Sequence, residues 1–153
     1  MRLRQGSLQD APLLVSLMHQ AFEEYRARLD PPSAAHDETV ETVLKKLQKG
    51  SAIVAEVEGQ PAGFVLQEPR GDCVYLSRLS VLPEFRKNRI ASKLIEEVER
   101  LAAISGATCV RLGVRVHLPE LVAFYERRGY RVTEYHCHPG YAEPTYLFME
   151  KGV

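Results

Sequence analysis

Apolar positions along the chain follow two periods. Leu14, Leu17, Met18, Ala21, Phe22 and Tyr25 recur every three or four residues, which predicts a helix running to about Arg28. Ser7-Leu8-Gln9-Asp10 ahead of it reads as a capping box, with Ser7 as N-cap and Asp10 reaching back. Met1 to Arg4 before that reads as a short strand. Asp30-Pro31-Pro32-Ser33 ends the helix and opens a loop. Asp37 is placed to cap a second helix with the stripe Val40, Val43, Leu44 and Leu47, and Gly50 stops it.

The period then changes. Ala52 to Val57 and Ala62 to Leu66 read as strands joined through Glu58-Gly59-Gln60 as a hairpin. Pro69-Arg70-Gly71-Asp72 is a turn, and Cys73 to Val81 is the longest strand, rich in β-formers. These three strands are expected to form an antiparallel meander. Ile90, Leu94, Val98, Leu101, Ala102 and Ser105 share one face of a third helix, which Gly106 stops. Thr108 to Val114 follows as a fifth strand, set parallel to the fourth by the crossover helix. Pro119 opens a fourth helix that ends at Gly129. Tyr130 to Tyr135 and Thr145 to Met149 are two more strands, expected to pair across the loop from His136 to Pro144. The order is β-α-α-β-β-β-α-β-α-β-β, an α/β fold with a mixed sheet and two helices on each side. An exposed edge of the seventh strand would allow pairing into a homodimer.

The length, 153 residues, suits one domain spanning 1–153, and no linker or repeat interrupts it. Lys and Arg total 20 and Asp and Glu total 20, so the chain is neutral. A general nucleic-acid or membrane-surface binder would carry a basic excess, so neither partner is expected. Cys73, Cys109 and Cys137 are odd in number and far apart, with no CxxC. They read as free thiols of a reducing, cytoplasmic protein. No signal peptide is read at Met1-Arg2-Leu3-Arg4, and no apolar run approaches spanning length. His136-Cys137-His138 has no second ligand cluster, so no metal is expected.

Against that neutral background one stretch stands out, Leu79 to Leu94. The fourth strand ends at Val81, and Pro83 donates no N–H to further pairing. The basic turn Arg86-Lys87-Asn88-Arg89 leads into Ile90, Ala91 and Ser92, the first turn of the third helix. Free backbone N–H groups and the positive end of the dipole make such a terminus an anion site. The short side chains of Ala91 and Ser92 let a phosphate oxygen approach, and Lys93 adds charge.

Arg86-Lys87-Asn88-Arg89-Ile90-Ala91 resembles the acyl-CoA motif Gln/Arg-x-x-Gly-x-Gly/Ala of the GNAT acetyltransferase superfamily, with Arg89 where the central Gly stands. Leu121-Val122-Ala123-Phe124-Tyr125-Glu126-Arg127-Arg128-Gly129-Tyr130 is similar to that family's helix-four signature. Tyr125, Gly129 and Tyr130 match it, whereas Leu118 and Leu121 replace its Asn and Ala. The element order is also the family's, so the resemblance covers nearly the whole chain.

The resemblance implies an acetyl-CoA-dependent N-acetyltransferase acting on a primary amine of a small molecule or peptide by direct attack. CoA would sit on Arg86 to Ser92, and its pantetheine would pair with the main chain of Leu79 and Val81, where strands four and five splay. Tyr125 would protonate the departing thiolate. Gly113 in strand five is consistent with close backbone approach. The acceptor wall would draw on Phe22, Tyr25, Arg26, Tyr75, Arg78, His138 and Tyr141, with Arg26 and Arg78 able to receive a carboxylate. Asp72, His117 and Glu120 are the candidate bases; a water relay or an already neutral amine is the other route. Arg89 is expected to take ordinary helical angles and turn its side chain to solvent or a phosphate. Two readings compete: a non-catalytic acyl-CoA-binding module, and a nucleotide- or nucleic-acid-binding domain using the basic turn.

Overall fold

A computed structural model describes residues 1–153. Seven strands form one sheet: β1 (Arg2–Gln5), β2 (Ser51–Val57), β3 (Gln60–Arg70), β4 (Cys73–Val81), β5 (Cys109–Arg115), β6 (Arg131–His136) and β7 (Tyr146–Gly152). Four helices cover it: α1 (Ala11–Phe22), α2 (Val40–Lys49), α3 (Ile90–Ile104) and α4 (Pro119–Glu126). The predicted element order holds. The sheet order is β1-β2-β3-β4-β5-β7-β6, with β4 and β5 the one parallel pair. β7 lies between β5 and β6, so the expected exposed edge of the seventh strand is corrected: the free edges belong to β1 and β6.

Each sheet face has its own core. Leu14, Leu17 and Met18 of α1 and Val43 and Leu47 of α2 pack on Val54, Phe64 and Leu66. On the other face Ile90, Leu94, Ile95 and Val98 of α3 and Tyr125 of α4 pack on Val65, Leu76, Val110 and Leu112. Strand alternation produces both, since neighbours along β2 and β3 point to opposite faces.

The helix ends differ from the sequence reading in three places. Asp10 does reach back to the Ser7 N–H, at 2.8 Å, but the capped turn is a short 3-10 turn, Leu8–Asp10, ahead of α1. At the far end α1 stops at Phe22 and another 3-10 turn, Glu23–Tyr25, carries the chain on. Thr39, not Asp37, caps α2, exchanging hydrogen bonds with Thr42. Asp37 sits in a 3-10 turn of its own, Ala34–Asp37.

Cys73 and Cys109 face each other at the start of the parallel pair, with Cα atoms 4.6 Å apart and their sulfurs bonded. That corrects the expectation of three free thiols. The pairing arises from the register of two strands 36 residues apart, which Cys spacing does not reveal. Cys137 is exposed and free. No helix is long and apolar enough to cross a membrane.

Candidate active site

β4 and β5 pair only over Cys73↔Cys109, Val74↔Val110 and Tyr75↔Arg111. Beyond that the strands part, and the backbone of β4 from Leu76 to Val81 has no β5 partner. A bulge sharpens the divergence. The β3–β4 register shifts between Phe64 and Leu66, and Arg78 takes a left-handed φ of 54°. Such an angle costs a non-glycine residue of order 1–3 kcal/mol and needs surrounding contacts to hold it. Those contacts are present. Arg78 Nε donates to Glu38 Oε2 at 2.9 Å, and Ser80 Oγ donates to the Arg78 carbonyl at 2.9 Å. The Glu38 side chain is 5% exposed. Burial works to raise its carboxyl, but hydrogen bonds from Thr42 and Arg78, with the Lys46 charge, hold it below the ordinary value.

The parted strands open into a cavity of about 900 Å³. One end is the basic turn. Lys87 (φ 72°) and Arg89 (φ 59°, ψ 21°) are left-handed on either side of Asn88, and Arg89 caps α3. Alternation in the sign of φ is the backbone pattern of an anion nest, and here it lies directly before a helix N-terminus. Arg89 therefore departs from the ordinary helical angles expected of it: it adopts the conformation for which the family motif uses glycine.

Arg86 is committed elsewhere. It pairs with Glu24 and donates to the carbonyls of Val81 and Ala21, both at 3.2 Å, tying the turn to α1 and to the end of β4. Arg128, singled out by no sequence argument, reaches across from the end of α4. It donates to Ser92 Oγ from Nε at 3.1 Å and lies 3.5 Å over the Phe124 ring. Leu79, Val81, Arg86, Lys87, Arg89, Ile90, Ala91 and Ser92 all line the cavity; Asn88 does not, and its amide donates to the Phe85 carbonyl.

Tyr125 forms the wall beside α3. It is 7% exposed and held edge-on between Phe124 and Tyr130. Burial pushes its phenol well above the ordinary value, and no hydrogen bond engages the hydroxyl. Four tyrosines border the cavity: Tyr25, Tyr75, Tyr125 and Tyr146. Burial, with the Glu24 charge, lifts Tyr25 to about 12. A Cβ at Gly113 would lie 3.1 Å from the Tyr75 hydroxyl, so this glycine makes room for that ring.

The other end lies between the α1–α2 loop and the β6–β7 loop. Of the residues expected there, Phe22, Tyr25, Tyr75, Arg78 and His138 border the cavity. Arg26 stays outside it, exposed and paired with Glu23 at 3.0 Å. Tyr141 is also outside the lining and donates to Asp30, which joins the two loops. Glu120 alone of the candidate bases borders the cavity. It is exposed, pairs with Arg28, and lies below its ordinary value through a backbone hydrogen bond and that of Arg28. Asp72 sits in the β3–β4 turn, its carbonyl accepting from Thr108 N–H at 2.8 Å.

The cleft thus opens between the parted ends of a parallel strand pair, with the basic turn and the N-terminus of α3 at one end. The sequence model of the Acetyltransferase (GNAT) family matches residues 15–130, and the chain belongs to that family of N-acetyltransferases. Solved structures share the whole fold. The PaiA N-acetyltransferase of Thermoplasma acidophilum in complex with coenzyme A is 20% identical, with TM-score 0.82, over 99% of this chain and 98% of that one. The ribosomal-protein-alanine N-acetyltransferase of Brucella melitensis is 19% identical, with TM-score 0.75, over 100% of both. An aminoglycoside 6'-acetyltransferase type Ii is 22% identical, with TM-score 0.76, over 99% and 97%. The latter two names specify unlike acceptors on one architecture, so the fold leaves this chain's acceptor open.

Proposed function

We propose that this protein transfers the acetyl group of acetyl-CoA to a primary amine of a small molecule or peptide by direct attack. The observation that carries the reading is the unpaired run of β4 between the anion nest and the free hydroxyl of Tyr125. The fit to CoA rests on donors of the right kind. The N–H groups at Lys87 to Ser92 suit a pyrophosphate, and Lys87, Arg89 and Arg128 form no ion pair with any carboxylate of the chain. The main chain of Leu79 and Val81, free on its β5 side, suits an amide-rich pantetheine arm. An N–H there polarises the thioester carbonyl.

The amine nitrogen then bonds to the carbonyl carbon, the carbon–sulfur bond breaks, and the sulfur takes the Tyr125 proton. The proton shed by the amine returns to Tyr125 through water in the open cavity. Burial keeps Tyr125 protonated at neutral pH.

Thermal melts with CoA, and product assays with acetyl-CoA and an amine panel, test the reading. CoA at about 100 times its dissociation constant should add about 2.7 kcal/mol. No shift at millimolar CoA removes the donor site; a shift without acetylation of any amine removes the catalysis.

A further inference from the structure

We propose that the acceptor is an amine that also carries a carboxylate, and that Arg115 receives that carboxylate. The proposal rests on the acetyl-transfer reading, of which it names the substrate class.

Seven cationic side chains and two carboxylates border the cavity. Their pairing divides them. Arg86 is paired with Glu24, Arg28 with Glu120, and Arg78 with the buried Glu38. Lys87, Arg89 and Arg128 lack an acidic partner, but all three gather at the nest, where a diphosphate would neutralise them. One uncompensated cation is left, and it stands at the opposite end. Arg115, the last residue of β5, sits two positions beyond Gly113 on the same face of the sheet. Its Nη2 donates to the Pro31 carbonyl, and its buried Nε has no partner.

No carboxylate pairs with Arg115. Asp30, the acidic group whose field reaches it, is held by the Tyr141 hydroxyl. Burial depresses the guanidinium, and the Tyr141 and Asp30 charges only partly oppose this. A half-buried cation with a free N–H and no counter-ion is costly unless an anion arrives. The neighbouring lining, Tyr75, His138 and Tyr146, is aromatic, and burial and Arg115 itself hold the His138 imidazole below its ordinary value. One free guanidinium edge among such groups balances a single negative charge. A phosphate dianion would leave excess charge, and a polycationic amine would meet repulsion. The carboxylate site expected at Arg26 and Arg78 is thereby moved: Arg26 faces away from the cavity, and Arg78 is already neutralised.

The test uses the twenty amino acids, each beside its own carboxamide. Acetyl-CoA turnover and titration into the CoA-saturated protein are both measured. A charged hydrogen bond of this kind predicts, for the best pair, an acid preference of roughly 10–100-fold. Arg115→Gln, which keeps an N–H for Pro31, should move the ratio toward one, chiefly through KM of the acid. Arg115→Lys should restore part of it, because the charge returns without the fork. The KM for acetyl-CoA serves as the internal control.

Amines acetylated with no preference for acids would overturn the role of Arg115 and leave the transferase standing. Acids that bind in preference but are never acetylated would leave the anion site standing and overturn the carboxylate-bearing amine as acceptor. Failure of every acid to bind and to react overturns the proposal. So does an Arg115→Gln variant that loses acid and amide equally, since Arg115 would then only support the Pro31 loop. If the variants do not fold, the wild-type acid-to-amide comparison decides by itself.

Discussion

The two ends of the cavity are built in opposite ways. The nest end comes from one unbroken stretch, β4 through the turn to α3, and its chief groups are backbone N–H donors set by φ angles at Lys87 and Arg89. The far end is assembled by side chains from distant parts of the chain. Arg28 meets Glu120, Arg115 meets Pro31, and Tyr141 meets Asp30 across 92, 84 and 111 residues respectively. A backbone site tolerates change in side chains as long as the angles survive. A side-chain site changes specificity with each substitution. Members of one fold family can thus share a donor and differ in acceptor.

Three changes sharpen that contrast, the largest effect first. Tyr125 stands between the ends, and Tyr125→Phe keeps the ring packing while deleting the hydroxyl. It should lower kcat by about 10²-fold or more, the scale of general acid catalysis, with folding and CoA affinity kept. Steady-state rates beside a CoA titration give both quantities. An unchanged kcat would reduce Tyr125 to packing, and a fall in CoA affinity would make its hydroxyl a binding contact.

The second change cuts the link between the ends. Glu38 belongs to the loop before α2, and Arg78 belongs to the β4 bulge. Glu38→Gln removes the charge that holds the bulge and should cost about 2 kcal/mol, the range for a buried charged hydrogen bond left half-made. The sign with pH follows from the depressed carboxyl. Its contribution is fully present above the unfolded value near ~4.3 and is lost as pH falls through the lower folded value. Urea midpoints of wild type and variant should therefore differ at pH 7 and converge in acid. A gap that persists in acid would mean that shape, not charge, holds the bulge.

The smallest effect belongs to the backbone site. Arg89→Gly relieves a left-handed angle, worth about 1–2 kcal/mol for an L-residue, and gives back part of that in unfolded-chain entropy. Stability should rise by up to about 1 kcal/mol, and CoA affinity should stay within about tenfold, because the N–H groups remain. Thermal melts with and without CoA check both. A loss of CoA binding would make the Arg89 side chain a principal ligand and erase the contrast.

The same contrast explains what could be read without a structure. Period and breaker residues carry the element order, and they place the basic turn directly before the third helix, because both signals are local. The left-handed angle of Arg89 is not legible, because a side chain says nothing of its own φ, which the strand–helix geometry imposes. The Cys73–Cys109 bond and the Arg78–Glu38 pair depend on strand register and on a loop folding over β4. Neither follows from any window of sequence. Arg115 was hidden for another reason: an arginine at a strand end is ordinary until every nearby carboxylate is found to be occupied. Arg128 had one local clue, its place in the matched helix-four segment before Gly129, but no residue pattern points it at Ser92.

The tyrosines of the cavity have a practical consequence. The chain has seven tyrosines and no tryptophan, and four of the seven border the cleft. No indole is present to take up their excitation, so most of the chain's ultraviolet fluorophores stand in the walls of the cleft. Ligand arriving at either end changes the surroundings of those rings directly. Titrations of this protein can be followed by intrinsic fluorescence, with no label and no coupled assay.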